Sequence, residues 1–161
     1  MDSDGYLSQL ADIFNGITVN TPSISAIIAI VLAGVLLLAS GFASASEIAF
    51  FSLTPSDRND IDEQNHPSDE KISALLGDSE RLLATILITN NFVNVTIIML
   101  CNFFFMNVFV FHSPLAEFLI LTVILTFLLL LFGEIMPKIY SAQKTLAFCR
   151  FSAPGIYFLE K

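Results

Sequence analysis

The stretch LAEFLILTVILTFLLLLFGEIMPK, Leu115–Lys138, decides the class of the fold. Residues 115–132 are apolar except for two threonines and one early carboxylate, Glu117. A run of this length approaches the roughly 20 residues with which a helix crosses the hydrocarbon core of a membrane. The run then closes on a carboxylate, Glu134, and a proline, Pro137. Because intramembrane carboxylates mark ion pathways, the stretch predicts a spanning helix with a functional end.

Two more segments, Ser23–Ala45 and Leu82–Phe111, are similarly apolar. The whole chain is 55% hydrophobic with a mean hydropathy of +0.75, whereas soluble domains are about 45–50% apolar. We therefore predict an all-α membrane protein with transmembrane helices at about 23–46, 82–111 and 114–135. The acidic segment 1–22 lacks the basic start of a secretory signal, so the first span is kept as a real helix.

The basic residues define an orientation. All seven lie between the first and second spans or after the third: Arg58, Lys71, Arg81, Lys138, Lys144, Arg150 and Lys161. The positive-inside rule then places residues 1–22 outside, and the 46–81 loop and the C-terminus in the cytoplasm. We expect a multi-pass protein of the cell (inner) membrane. The net charge of −8 argues against a nucleic-acid partner, which requires a basic stripe.

The loop between the first two spans carries the start and stop signals of two short helices. Thr54 is an N-cap candidate, followed by Pro55 at the first helical position and Asp57 at the capping-box position. The second helix is expected to start near Ser68 and to stop at Gly77.

Polar and helix-breaking residues mark the remaining boundaries. Asp78 or Ser79 is expected to cap the second span. Residues 138–161 mix basic and aromatic side chains, which predicts an amphipathic juxtamembrane helix at the inner interface, broken at Pro154–Gly155.

All three spans place polar side chains at the same depth. At about 1.5 Å per residue, these residues reach the cytoplasmic third of the membrane: Ser40, Ser44, Asn90, Asn91, Asn94 and Glu134. Each group also has a structural explanation. The serines can serve close helix packing, the asparagines can bond across helices, and Glu134 can pair with Lys138 four residues later.

The pair with Lys138 leaves two features of the third span unexplained. Glu134 stands at the C-terminal end of a helix, where the dipole disfavours negative charge. Pro137 has no N–H, which deprives the Gly133 carbonyl of its α-helical donor. Carboxylate, carbonyl, hydroxyl and amide oxygens together suit a hard cation, Mg²⁺ or Ca²⁺, and also Na⁺. We therefore predict a metal site at these residues. Glu47 has two possible roles: it either joins this site or caps the following cytoplasmic segment.

These residues also form three motifs that occur in order along the chain. The motifs are S-x-x-E-x-A (Ser44, Glu47, Ala49), N-N-x-V-N (Asn90, Asn91, Val93, Asn94) and G-E-x-x-P-K (Gly133, Glu134, Pro137, Lys138). From about Ser23 to its end, the chain resembles the transmembrane domain of the CNNM/CorC magnesium transporters. The resemblance implies a homodimer of three-helix protomers with a juxtamembrane helical belt, and Mg²⁺ efflux coupled to Na⁺ entry.

The resemblance also implies a ligand set. It consists of Ser40 or Ser44, Asn91 or Asn94, and Glu134, with Gly133 as a backbone ligand. Glu47, Pro137 and Lys138 then have structural or gating roles. Ser141 stands where alanine is usual, a mild change. Full-length members continue into nucleotide-binding CBS-pair domains as partners of the membrane domain, and this chain does not include them.

Two other function classes compete with transport. A non-transporting membrane anchor, or a module that senses Mg²⁺, also predicts metal binding but no flux. An intramembrane enzyme is disfavoured, because His66 in the loop and His112 at the outer turn lie far in depth from the serines. No HExxH zinc signature occurs in the sequence.

Overall fold

The computed structural model describes residues 3–161 and is almost entirely helical over that range. The elements in chain order are α1 (Ser3–Asn15), β1 (Thr18–Val19), α2 (Ile24–Phe51), α3 (Pro55–Asp62), α4 (Asp69–Gly77), α5 (Ser79–Val108), β2 (Phe109–Val110), α6 (Pro114–Leu128), a π-helix (Leu129–Ile135), α7 (Met136–Gln143) and α8 (Thr145–Glu160). We call the end of the bundle that carries α3, α4 and α8 the loop end, and the end that carries the two strands the strand end.

Within residues 3–161, three helices are long and apolar enough to cross a membrane. They are α2, α5 and the continuous unit Pro114–Gln143, which joins α6, the π-helix and α7. This architecture is that of an all-α membrane domain. The second span begins at Ser79 rather than 82 because the Asp78 side chain caps it, accepting the backbone N–H of Arg81 at 3.1 Å. It ends at Val108 rather than 111 because the next two residues form β2.

The short helices of the loop form where their capping signals predict. The Thr54 hydroxyl accepts the Asp57 N–H at 3.2 Å, and the Asp57 carboxylate accepts the Thr54 N–H at 2.9 Å. This is a complete capping box with Pro55 in the first turn. The second helix, α4, runs from Asp69 to Gly77 with Ser68 at its N-cap position.

The segment before the first span contains structure that we did not predict from sequence. Helix α1 occupies residues 3–15, and β1 pairs antiparallel with β2, with Thr18 opposite Val110. Asn20 continues the pairing by donating its N–H to the Val108 carbonyl at 2.7 Å. This pairing joins the chain before α2 to the end of α5, so a short two-stranded β-structure closes the strand end.

Helix α2 lies at the centre of the packing and contacts α5, the third span and α8. Its loop end belongs to a buried cluster contributed by five helices: Ala43, Ala49, Phe50, Ile61, Ile72, Leu75, Leu82, Ile86, Cys149, Ala153 and Ile156. Burial of this apolar surface holds α3, α4 and α8 against the ends of the spans. A second cluster, deeper in the spans, joins Ala33, Val93, Ile97, Cys101 and Leu125.

The predicted juxtamembrane helix 138–161 is two helices in the structure. Residues 136–143 continue the third span as α7, and α8 starts only at Thr145, after Lys144 leaves the helical conformation (φ −134°, ψ 51°). Pro154 does not break α8. A proline costs one backbone hydrogen bond, and here the buried neighbours Ala153 and Ile156 hold the helix against the core.

Candidate metal site

Three oxygen atoms meet where α2 crosses α5. Ser40 is fully buried, and its hydroxyl oxygen lies 2.8 Å from the amide oxygen of Asn90 and 2.6 Å from that of Asn94. A hydroxyl carries one hydrogen and can donate to only one of the two acceptors. Two arrangements satisfy both contacts: one amide turns its NH₂ toward Ser40, or a cation lies among the three oxygens. We call this group the oxygen triad.

Helical rotation separates the three predicted asparagines. Asn90 and Asn94 are four residues apart and share the face of α5 that meets α2. Asn91 lies about 100° further around the helix, and its side chain is exposed. Among the described residues, no hydrogen bond joins it to the triad. Of the three asparagines, the structure therefore brings Asn90 and Asn94 to Ser40, and a role for Asn91 as a ligand stays a prediction.

Gly133 brings the backbone of the third span next to the triad. The residue is buried, and a Cβ atom built on it would lie 3.2 Å from the Ser40 hydroxyl oxygen and 3.6 Å from Leu37. Contacts this close leave little room for any side chain at this position. The third span thus meets the triad at Gly133, and a backbone ligand from this residue stays a prediction.

Pro137 leaves one backbone carbonyl without a hydrogen-bond donor, and the π-helix determines which carbonyl that is. The N–H of Met136 bonds to the Leu131 carbonyl, five residues earlier. In that register the donor for the Phe132 carbonyl would be Pro137, which has none. The prediction of a free Gly133 carbonyl assumed an α register, and the structure moves the gap to Phe132. The Phe132 oxygen faces α2, 3.2 Å from a Cβ atom built on Gly41. Such π-segments are rare and frequently occur at functional sites.

Ser44 lies one turn beyond Ser40 on α2 and is also fully buried. Among the described residues its hydroxyl oxygen has no hydrogen-bond partner. An unsatisfied buried hydroxyl costs about 1–3 kcal/mol. A bound cation with its water shell would supply the missing partner.

The carboxylate of Glu134 is half-buried and unpaired within the described part of the chain. The expected alternative, an ion pair with Lys138, does not form: the Lys138 ammonium lies 3.2 Å from Glu47 instead. Glu47 therefore links α2 to α7 rather than capping the next segment. Its side chain is 29% exposed and that of Lys138 34%, so this pair contributes at most about 1 kcal/mol.

The donor chemistry is that of a hard cation. Within residues that the structure describes, no three His, Cys, Asp or Glu side chains converge, so a soft-metal centre of thiolates and imidazoles has no ligands. Hydroxyl and amide oxygens, a nearby glycine backbone and one unpaired carboxylate are what Mg²⁺, Ca²⁺ or Na⁺ accept.

A family model for the cyclin M (CNNM) transmembrane N-terminal domain matches residues 27–161. The chain belongs to the CNNM family. The match covers nearly all of α2 and everything after it, including every residue of the triad, and CNNM domains are related to divalent cation transport. A comparison with curated proteins finds no match to the chain.

This CNNM domain also contains a buried ion pair that sequence reasoning missed. Asp69 is fully buried, and the Arg150 guanidinium donates to both of its oxygens at 2.8 and 3.0 Å. Burial raises the pKa of Asp69. The hydrogen bonds from Arg150 and from the His66 N–H together lower the pKa by more than burial raises it, so the net shift is downward. The available signal was an acid in the first turn of α4 and one arginine on the amphipathic helix α8.

The cysteine beside this ion pair is unreactive. Cys149 is fully buried. Burial, together with the negative charge of Asp69, raises the pKa of its thiol to about 12. Since only the thiolate binds metals or attacks electrophiles, Cys149 has a packing role.

Proposed function

We propose that this CNNM domain exports Mg²⁺ across the cell (inner) membrane, coupled to the entry of Na⁺. The observation that carries the proposal is the oxygen triad. The Ser40 hydroxyl has one hydrogen to donate, yet its oxygen lies 2.8 and 2.6 Å from two amide oxygens in the buried contact between two spanning helices. Oxygens at such separations repel one another unless a hydrogen or a cation lies between them. Family membership supports a divalent cation as that ion.

The other predicted ligands complete the site in this proposal. The unpartnered hydroxyl of Ser44 and the unpaired carboxylate of Glu134 would bind the ion or its water, and the glycine at 133 lets the third span approach. Mg²⁺ gives up its water reluctantly and usually keeps several waters when bound. A site with one carboxylate and several neutral oxygens therefore suits an ion that has to be released again.

We propose that the loop end faces the cytoplasm and residues 1–22 face outward. The positions of the seven basic residues support this orientation. It places the triad nearer the cytoplasmic surface, so Mg²⁺ would enter from the loop end and leave toward the strand end when the helices rearrange, as in alternating access.

We also propose that the domain works as a homodimer. Only 17% of the most apolar part of the third span is buried within one chain, so most of its surface must meet lipid or a second protomer. A groove of about 490 Å³ between α5 and α6 has four polar side chains among its lining residues: Asn102, Glu117, Thr122 and Thr126. Polar groups on such a surface favour a protein partner over lipid, which favours the second and third spans as the interface.

Flux through sealed proteoliposomes tests the proposal. The third span holds two glutamates, so E134Q and E117Q form a matched pair of variants. Because Glu134 pairs with no described group, E134Q is expected to fold normally and to lower Mg²⁺ flux at least tenfold, whereas E117Q, which keeps a polar side chain of the same size at the proposed interface, is expected to retain flux. S40A, which removes the central atom of the triad, is expected to lower flux by a similar factor. Flux that is unchanged in both E134Q and S40A contradicts the proposed site.

The alternative is a non-transporting membrane anchor that binds or senses Mg²⁺. It predicts that Mg²⁺ raises the unfolding temperature of the wild type but that proteoliposomes show no flux. Transport predicts both effects, and loss of both in E134Q. Measuring the two quantities on the same preparations therefore separates the hypotheses.

A further inference from the structure

Helix α2 and the third span run parallel and meet at three successive levels. Gly133 approaches Leu37 and Ser40, Gly41 approaches Pro137, and Ala45 contacts Ser141. A Cβ atom built on Gly41 would lie 3.0 Å from the Pro137 ring. Each level is four residues beyond the previous one on both helices, so one continuous stripe of α2 packs against one stripe of the π-helix and α7. We call this contact the parallel seam.

Ser141 supplies a buried polar contact in the parallel seam. It is fully buried, and its hydroxyl donates to the Ala45 carbonyl at 2.6 Å. Within the described residues it is the one side-chain hydrogen bond between α2 and the third span. The Lys138–Glu47 ion pair also links these elements, but both of its side chains are partly exposed.

We propose that Ser141 is a positioning residue for the cation site. The inference rests on the proposed function. Ala45 follows Ser44 directly, and Gly133 lies two turns before Ser141 on the same continuous helix. Sliding or rotation of α7 along α2 would therefore move Gly133 and Glu134 relative to Ser40 and Ser44.

The π-helix explains why the Ser141 hydrogen bond matters for holding the third span in place. A π-segment has a register that few helices adopt, and Pro137 removes one more backbone hydrogen bond directly after it. The backbone hydrogen bonding of the third span is therefore irregular where it passes the oxygen triad. The Ser141 hydroxyl fixes the helix just beyond this irregular segment, so the serine is more than a mild replacement of alanine.

Backbone exchange tests the anchoring without any ion. In metal-free detergent solution, S141A is expected to raise amide hydrogen exchange of residues 129–138 about fivefold, the factor that one neutral hydrogen bond represents. S152A is the matched control, because Ser152 is equally buried but bonds to Cys149 within its own helix. S152A is expected to leave exchange of 129–138 unchanged. Unchanged exchange in S141A overturns the inference, whatever happens with Mg²⁺.

Ion binding tests the functional consequence. In Mg²⁺ titrations followed by thermal unfolding, S141A is expected to raise the midpoint concentration about fivefold. S152A is expected to lower the unfolding temperature of the metal-free protein similarly without moving that midpoint. A purely structural role for Ser141 predicts no difference between the two midpoints.

If E134Q abolishes the Mg²⁺ effect while S141A keeps the wild-type midpoint, the inference fails and the proposed function stands. If Mg²⁺ does not stabilise the wild type, the proposed function fails, and the role of Ser141 at the cation site fails with it.

Discussion

Replacing Arg150 with methionine tests how the loop helices are held on the spans. The variant removes both donors, at 2.8 and 3.0 Å, from a carboxylate that is fully buried. Asp69 then keeps one described hydrogen bond, from the His66 N–H at 3.0 Å. Removing one partner of a buried ion pair costs about 3–5 kcal/mol. Since the Arg150 side chain is 24% exposed, we expect the lower value, about 3 kcal/mol.

The expected loss is large enough to measure by thermal unfolding in detergent. For a domain of 150–250 residues, 1 kcal/mol shifts the unfolding temperature by about 2–4 °C, so R150M is expected to unfold about 6–12 °C lower. A thiol-reactive dye suits the assay, because Cys101 and Cys149 are free and buried until the protein unfolds. The control is R81M, since Arg81 forms an ion pair with Glu160 at 3.3 Å while itself 60% exposed. Its loss is expected to cost at most about 1 kcal/mol.

The pH dependence gives a second measurement on the same variants. The folded-state pKa of Asp69 lies below its ordinary value of 3.8. A depressed carboxyl pKa contributes stability that is complete above the unfolded pKa and is lost as the pH falls through the folded pKa. In R150M, burial without the arginine raises the pKa of Asp69, and protonation then relieves the uncompensated charge. The stability difference between wild type and R150M should therefore narrow as the pH is lowered from 7 toward 4.

Two results would refute this reasoning. One is an unfolding temperature for R150M that falls no further than that of R81M, because the pair would then behave as an exposed one. The other is a difference between wild type and R150M that stays constant from pH 7 to pH 4, which would mean that the Asp69 carboxylate is not desolvated.

Two further predictions concern the parallel seam and the site. G41A is expected to destabilise the domain by about 1–3 kcal/mol, because the added Cβ would meet the Pro137 ring at 3.0 Å. G34A in the same helix has nothing within 4 Å of its Cβ and is expected to stabilise by up to about 1 kcal/mol through helix propensity. Equal unfolding temperatures for the two would contradict the close packing. S44A is expected to leave metal-free stability unchanged or higher, since it removes an unpartnered hydroxyl, and to reduce stabilisation by Mg²⁺. A loss of metal-free stability above about 1 kcal/mol would show that Ser44 has a protein partner.

The sequence by itself determined the features that depend on short-range order. Length and hydropathy specify the three spans. The side chains of Thr54 and Asp78 cap helices where capping chemistry predicts, and Ser68 holds the N-cap position of α4 without a side-chain hydrogen bond. The depth of polar residues also follows from sequence, because helical rise per residue is nearly constant. Ser40 and Asn94 therefore lie at the same level although 54 positions separate them along the chain.

Only the tertiary structure decided how the helices are rotated and paired. Which asparagines face α2 depends on the rotation of α5, and hydrophobicity around that helix is too uniform to define it. The π register moves the unpaired carbonyl from Gly133 to Phe132, and it forms where the third span packs closely on α2. The buried pair of Asp69 with Arg150 joins residues 81 positions apart. Local signals do not encode such contacts, because their energy exists only once the helices have packed.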